Sequence, residues 1–373
     1  MTTALRVGVV GCGGIAQMMH LPFVAERPDL FELVALADPH RPTLEAVGRR
    51  HRVDRLHADH RALLDEPLEA VLILSGGSHC QAAVDAARAG KQIFCEKPLG
   101  ENIGEVEEVA AAVREARVTL MVGYHKRYDP GYLFACEEVR KLRDLRFARA
   151  EILHPVDARA RDHHHIEPPP DPAQGARADG EATDGLVDEV TRGSSHARVA
   201  AIVGEQAPLA QQVATFLLFN SLIHDVNALR GMLGEPQDVE HVELWRDGRC
   251  LHVVLRWTDK LRGVLSWIYL PGLRHYTEEL LLVSPEGRVT VTFPSPYYRH
   301  FPTPVRVESM DQGSLVQREV TVSYEEAFRA ELHHFHDCVR RNAAPRTGIE
   351  DARADTLLLE RIARAYRGTK EAR

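Results

Sequence analysis

A lysine stands at the end of the apolar segment Gln92-Ile93-Phe94-Cys95-Glu96-Lys97-Pro98, and far upstream the chain reads Gly11-Cys12-Gly13-Gly14-Ile15-Ala16. A glycine loop of that spacing, placed after a strand, suits the pyrophosphate of a dinucleotide. An ionisable lysine at the end of a later strand of the same sheet suits proton transfer beside a nicotinamide. Together they point to hydride chemistry on a hydroxyl. Oxidising a secondary alcohol removes the hydroxyl proton as hydride leaves carbon, and a base within hydrogen-bond reach, with its pKa drawn toward neutrality, does this best. Desolvation in a crevice and the positive ring of NAD⁺ would disfavour the ammonium form of Lys97. The alternative for Lys97 is a surface lysine paired with Glu96. His224 is the second candidate, since imidazole titrates near neutral pH and can relay a proton or orient a hydroxyl. It lies on an apolar helical stretch, 216–233, which also suits a satisfied core histidine.

The elements that must position these groups are legible in the hydrophobic pattern. Residues 5–10 form a short apolar strand, and a helix runs from about 14 to 26. A second strand, 32–37, ends at Asp38. Gly11 permits the tight turn, Gly13 lets the pyrophosphate approach the backbone, and small Ala16 lets helix and strand pack closely. The helix N-terminus at Gly14 and Ile15 offers free N–H groups and a positive dipole end to the phosphates. Asp38 then binds the ribose hydroxyls of NAD and repels the 2′-phosphate of NADP. Arg41 softens that preference, so NAD is favoured and NADP stays open. Strands over 70–74, 91–95 and 118–122 alternate with helices over 81–89 and 103–116. That alternation predicts a parallel doubly wound sheet, with ligands at the carboxyl ends of its strands. Ser75 to His79, Glu96 to Pro98 and Gly123 to Arg127 all occupy such ends. His79 is read either as a cofactor contact or as the cap of the helix that follows it. Pro98 is structural, with a cis bond open to it.

Farther on, Leu251, Val253, Leu255 and Trp257 alternate with His252, Val254 and Arg256, and Val289, Val291 and Phe293 alternate with Thr290 and Thr292. Both are period-two strand patterns. Ser323 with Glu326 reads as a capping box before a helix whose Phe328, Leu332, Phe335 and Val339 share one face. Thr347 with Glu350 reads as the cap of a last helix.

Bulk composition bounds the rest. The chain has 373 residues, enough for two domains, and is 44% hydrophobic and 27% charged, as soluble globular proteins are. Its net charge of −8 argues against nucleic acid or an anionic membrane as partner. No apolar run approaches the roughly 18 residues that span a bilayer. The N-terminus enters a strand at once, which reads as no signal peptide. Six cysteines, Cys12, Cys80, Cys95, Cys136, Cys250 and Cys338, form no CxxC pair, which fits a reducing cytoplasm.

Taken in order, several pieces resemble the glucose–fructose oxidoreductase, inositol dehydrogenase and rhizopine-catabolism (Gfo/Idh/MocA) family. They are the 11–16 glycine loop, Gly90 to Leu99 with its Glu96-Lys97-Pro98, Gly123-Tyr124-His125-Lys126-Arg127-Tyr128-Asp129-Pro130, and Ile223-His224-Asp225-Val226-Asn227. Tyr324 to Phe328, followed by Glu350-Asp351-Ala352-Arg353, is a fifth. The resemblance spans nearly the whole chain outside about 155–215. It implies a Rossmann domain over 1–126 and, over 127–373, a substrate-binding α/β domain with a large, mostly antiparallel open sheet. It also implies a homo-oligomer, dimer or tetramer, built on the open face of that sheet. The resemblance implies oxidation or reduction of a secondary hydroxyl of a sugar, sugar derivative or cyclitol, with Lys97 and His224 as the active-site pair. Tyr124, His125, Arg127 and Asn220 are then expected at the substrate, and Ser75, His79 and Glu96 at the cofactor. Lys126 is read as pointing away, and Asp225 receives no catalytic role. One position departs from the family: where many members carry an aspartate four residues before the histidine, this chain has Asn220, which hydrogen-bonds a hydroxyl but supplies no charge.

Residues 155–215 fit the family least well. His163-His164-His165, Glu167 and Pro168-Pro169-Pro170 lead into a Gly, Asp and Ala-rich stretch, read as a polar loop or a lid. No ligand spacing accompanies the histidines, so no metal is assigned. Two other functions stay beside the oxidoreductase. One is a redox-assisted glycosidase or lyase, in which transient oxidation acidifies a C–H and the hydride then returns. The other is a non-catalytic sensor of NAD or sugar, against which Lys97 argues.

Overall fold

The computed structural model describes residues 4–155, 161–167 and 182–368. The chain divides into two compact units. The first comprises Met1–His125, Asp162–Gln174 and Phe328–Thr356, and the second Lys126–Arg161, Gly175–Ala327 and Leu357–Arg373. Among the described residues no helix is long and apolar enough to cross a membrane. The six cysteines are buried and free.

The first unit is built on a six-stranded parallel sheet. Its strands are β1 (Leu5–Val10), β2 (Phe31–Ala37), β3 (Arg55–His57), β4 (Ala70–Ile73), β5 (Gln92–Glu96) and β6 (Leu120–Gly123), in the order β3-β2-β1-β4-β5-β6. β1 and β4 are hydrogen-bonded neighbours. Here the winding reverses and opens a crevice at the carboxyl ends. The near-continuous apolar runs are what a sheet covered on both faces needs: every residue of β4 is buried, and so are Ile93, Phe94 and Cys95 of β5. The helix after β1 begins as a π turn, Ala16–His20, and continues as Leu21–Glu26.

The returning piece of this unit carries helix Ala327–Arg341, which buries Phe328, Leu332, Phe335 and Cys338. Phe335 meets Phe94 edge-on at 5.8 Å, and Arg340 donates to Glu69 at 2.8 Å. The sequence placed Val339 on this face, and the structure puts Cys338 there. The expected caps also differ. The Ser323 hydroxyl accepts from Glu325 N, while the Glu326 carboxylate accepts from the His300 backbone, and the helix starts only at Ala327. The Thr347 hydroxyl donates to Val122 O at 2.7 Å, tying the segment to β6.

The second unit is built on an eight-stranded sheet of β7 (Phe147–His154), β8 (Asp238–Trp245), β9 (Cys250–Arg256), β10 (Arg262–Tyr269), β11 (Thr277–Ser284), β12 (Gly287–Phe293), β13 (Val305–Asp311) and β14 (Ser314–Val320). The order is β14-β13-β12-β11-β7-β10-β9-β8. Only the β7–β10 pair is parallel. Strict alternation along β7, β10 and β11 buries one face, with Ala148, Ala150, Leu265, Leu280 and Leu282 inward, and leaves the other half-covered.

The segment read as a polar loop differs most from expectation. Within 155–215 the structure places helices Ala182–Thr191, His196–Val203 and Leu209–Leu217. The buried residues Val199 and Ile202, then Val213 and Leu217, sit three and four apart, the spacing of one helical face. The last of these helices passes through a π turn, Leu218–Leu222, into Ile223–Leu233. Pro168 to Pro170 lie outside the described residues.

Candidate functional site

Five successive strand ends of the first unit carry the residues singled out by their chemistry. At the end of β1, Gly11 adopts φ +92°, and a side chain there would strike Ser75 Cα at 2.4 Å. Glycine is therefore required by both backbone and space. A Cβ on Gly13 would meet nothing within 4 Å. The loop thus leaves open room in front of the helix N-terminus, and this cradle fits a dinucleotide pyrophosphate. Asp38, past the end of β2, accepts from Cys12 N through Oδ2 and from His40 N through Oδ1, both at 2.8 Å. Its carboxylate is thereby fixed beside the glycine loop. Arg41 is exposed and donates to Glu45 at 2.7 Å.

His79 is buried, and its ring nitrogens lie 2.7 Å from Ser75 O and 2.6 Å from Pro98 O. It stands at the N-cap position of helix Cys80–Arg88 but does not cap it through its side chain; Ser78 Oγ accepts from Cys80 N instead. His79 ties the turn after β4 to the turn after β5. The second turn carries Lys97, which is half-buried, and the Lys97–Pro98 bond is cis.

Glu96, the last residue of β5, points inward. His20 Nε2 lies 2.8 Å from its Oε1, and its Oε2 accepts from Lys97 N at 3.1 Å. Burial pushes the Glu96 carboxyl up, but the hydrogen bond and charge of His20, with Lys97 and His125, outweigh it and leave the group below its ordinary range. The His20 ring is wedged edge-on between Phe94 and Phe328. Facing this pair is Glu331, fully buried, with neither carboxylate oxygen hydrogen-bonded among the described residues. Ligand-type atoms of His20, Glu96 and Glu331 lie within 4.8 Å of one another. Burial first, then the Glu96 charge, pushes the Glu331 carboxyl well above its ordinary value. Sequence reasoning missed this cluster. The signals were an acid three residues past Phe328 on an apolar helix face, and a histidine inside Met18-Met19-His20-Leu21.

Glu331 has a measurable consequence. An acid whose folded pKa is raised stabilises fully only below its unfolded value, and that stability is lost as pH climbs toward the folded pKa. Glu331→Gln is therefore expected to raise the thermal midpoint at mildly alkaline pH more than at mildly acid pH. Melting curves across that range check it, and parallel curves for the two proteins would refute it.

Tyr124 and His125 follow β6 in the first unit and are both buried; His125 stacks on Phe328 at 4.3 Å. In the second unit, Arg127 donates to Asn227 Oδ1 at 3.3 Å, and its guanidinium lies against Gly231. The structure thus gives Tyr124, His125 and Arg127 packing contacts. His224 is half-buried on helix Ile223–Leu233. Asn220 lies in the preceding π turn and donates to Phe216 O at 2.9 Å. Such turns recur at functional sites.

Lys126, read as pointing away, is instead buried. It donates to Asp225 Oδ1 at 3.1 Å and to Glu278, which also accepts from Tyr276 OH at 2.8 Å. The acid beside His224 is thus the partner of an internal ammonium.

The family model described as "Oxidoreductase family, NAD-binding Rossmann fold" matches residues 5–124. Inositol 2-dehydrogenase of Gluconacetobacter diazotrophicus is 35% identical over 133 residues, which are 35% of this chain and 39% of that enzyme. Beyond that stretch the likeness is one of fold. Aldose–aldose oxidoreductase from Caulobacter crescentus, solved with glycerol, superposes with a TM-score of 0.72 at 21% identity over 97% of both chains. Scyllo-inositol dehydrogenase from Lactobacillus casei, solved with NAD(H) and scyllo-inositol, gives 0.70 at 18% identity, covering 98% of this chain and 97% of that one. The glycine cradle, the acid after β2 and the Glu96-Lys97-Pro98 turn all lie within the matched stretch, so residues 5–124 form an NAD-binding Rossmann unit similar to that of this oxidoreductase family.

Proposed function

We propose that this chain transfers hydride between NAD and a secondary hydroxyl or keto group of a sugar, sugar derivative or cyclitol, with Lys97 as the general acid/base. The observation that carries this reading is Lys97 itself. It is half-buried at the carboxyl end of β5, held by Glu96 on one side and by the His79–Pro98 contact on the other. The inositol dehydrogenase and aldose oxidoreductase among the similar proteins support the substrate class. The nicotinamide, when bound, accepts or returns the hydride. Lys97 accepts the hydroxyl proton in oxidation and donates it in reduction. His224 orients the substrate hydroxyl and relays its proton, with Asn220 as a neutral hydrogen-bonding neighbour. Glu96 and His79 are positioning groups. Assembly as a homo-oligomer through the half-covered sheet face and residence in a reducing cytoplasm complete the proposal.

The test is absorbance of reduced nicotinamide while sugars, sugar acids, inositols and glycosides are offered with NAD⁺ and NADP⁺. Net reduction with one class supports the proposal. Glycoside cleavage without net reduction favours the redox-assisted lyase, which the neutral Asn220 keeps in play. Silence on both counts favours the sensor.

Cofactor choice should follow Asp38. A carboxylate hydrogen-bonded to ribose hydroxyls is worth about tenfold or more in affinity. Asp38→Ala is expected to raise the Kd for NADH by about that factor and to narrow the preference over NADPH. Titration of both reduced cofactors by fluorescence reads this directly, and an unchanged ratio would remove Asp38 from ribose recognition.

A further inference from the structure

Gln17, one residue beyond Ala16 in the π turn that follows the glycine loop, is a buried amide with every hydrogen-bonding group engaged. Its Nε2 donates to Cys12 O and to Glu167 O, each at 2.8 Å. Its Oε1 accepts from Glu167 N, also at 2.8 Å. One side chain thus pairs with both main-chain groups of a residue 150 positions away, as one strand residue pairs with another. The alternative amide orientation would set its NH₂ against an N–H and its oxygen against two carbonyls, so the network fixes which way the amide points.

The same segment is held a second time. Arg50, on helix Arg41–His51, donates to His165 O at 2.7 Å, and His165 Nε2 lies 2.7 Å from Glu167 Oε1. The histidine run is therefore tied to helix Arg41–His51 through its third member.

The consequence lies in one peptide plane. Cys12 C=O and Gly13 N–H belong to the same trans peptide and point in opposite directions. Gln17 holds the oxygen, so it aims the Gly13 N–H the other way. Asp38 holds Cys12 N at 2.8 Å. Both main-chain groups of Cys12 are thus tethered, and the orientation of the loop that meets the pyrophosphate depends on Gln17 staying put.

We propose that His165–Glu167 is a built part of the dinucleotide site. Its main chain clamps Gln17, Gln17 orients the Gly13 N–H, and the clamp slows release of the bound cofactor. This rests on the dinucleotide site alone and not on any role of Lys97.

The experiment is a stopped-flow chase of bound NADH by excess NAD⁺, followed by nicotinamide fluorescence. Glu167→Pro removes the N–H that Gln17 accepts from and leaves the loop sequence intact. Loss of one such bond predicts release about three- to tenfold faster. Arg50→Ala, which does not alter the backbone, should shift release in the same direction by a smaller factor. Glu167→Ala keeps the main chain and loses only the carboxylate contact to His165, so it should accelerate release far less than Glu167→Pro. Release within twofold of wild type in both Glu167→Pro and Arg50→Ala overturns the clamp. Equal acceleration in Glu167→Ala and Glu167→Pro overturns the main-chain account. Failure of the wild-type chain to bind NADH would overturn the dinucleotide site itself, a different result from either.

Discussion

Lys97→Ala is expected to lower turnover by about 10²–10⁴-fold while NADH still binds, because a positioned acid/base contributes that much and the glycine loop does not depend on it. The split between the two readouts matters. Glu96 accepts from the Lys97 backbone, and His79 bonds the Pro98 carbonyl. Both contacts use main-chain groups that alanine keeps, so the turn should survive the substitution. The loss should therefore appear in kcat with little change in NADH affinity, the pattern of an interaction made only on the way to the transition state. Lys97→Arg is the sharper variant. It keeps a positive charge but cannot give up its proton at accessible pH, so it should be nearly as inactive in oxidation as alanine. Turnover within a few-fold of wild type in Lys97→Ala, with a substrate that wild type reduces or oxidises, would remove Lys97 from the chemistry.

The parts of this site that were legible in the sequence are those in which one residue type is forced by local backbone. Gly11 must be glycine because of its φ and the nearness of Ser75, and Asp38 follows an apolar strand by rule. The alternating period of the first unit gave a parallel sheet, and period two in β9 and β12 gave the second. The illegible parts depend on contacts between distant residues of the chain. Nothing local marks Gln17 as the partner of Glu167, and His20 and Glu331 each look like an odd polar residue on an apolar face. Lys126 was misread because a lysine beside an arginine in a polar turn ordinarily faces water. Its two carboxylate partners lie 99 and 152 residues away. The helices over 182–217 were not legible because their short Val, Ile and Leu faces follow a stretch rich in histidine, proline and glycine that reads as loop.

Lys126→Met should be among the most destabilising single changes in the second unit. The ammonium is buried beside Asp225 and Glu278, both also buried, and its nitrogen lies 4.8 Å from the Phe293 ring centre. Burial pushes Lys126 down and Asp225 up, each toward neutrality, and the facing charge of the other opposes the shift. Methionine fills the space but leaves two carboxylates facing each other without a counter-charge. Removing one partner of a buried pair in this way costs about 3–5 kcal/mol. The sign of the pH dependence separates this from simple mispacking. Without Lys126 the Asp225 carboxyl, already pushed up by burial, loses the charge that opposes the shift, so its folded pKa rises further above its unfolded one. The variant should then sit near wild type at acid pH, where both are protonated, and lose stability as pH rises. A packing defect would cost the same at every pH. Adding Asp225→Asn and Glu278→Gln to Lys126→Met should restore most of the loss at neutral pH, because neither hydrogen-bonded partner of Lys126 then carries a buried charge. Denaturant midpoints of the single and triple variants across acid to neutral pH decide the matter. A pH-independent deficit, or no rescue in the triple variant, would show that the cluster's charges are not what anchors the helix carrying His224.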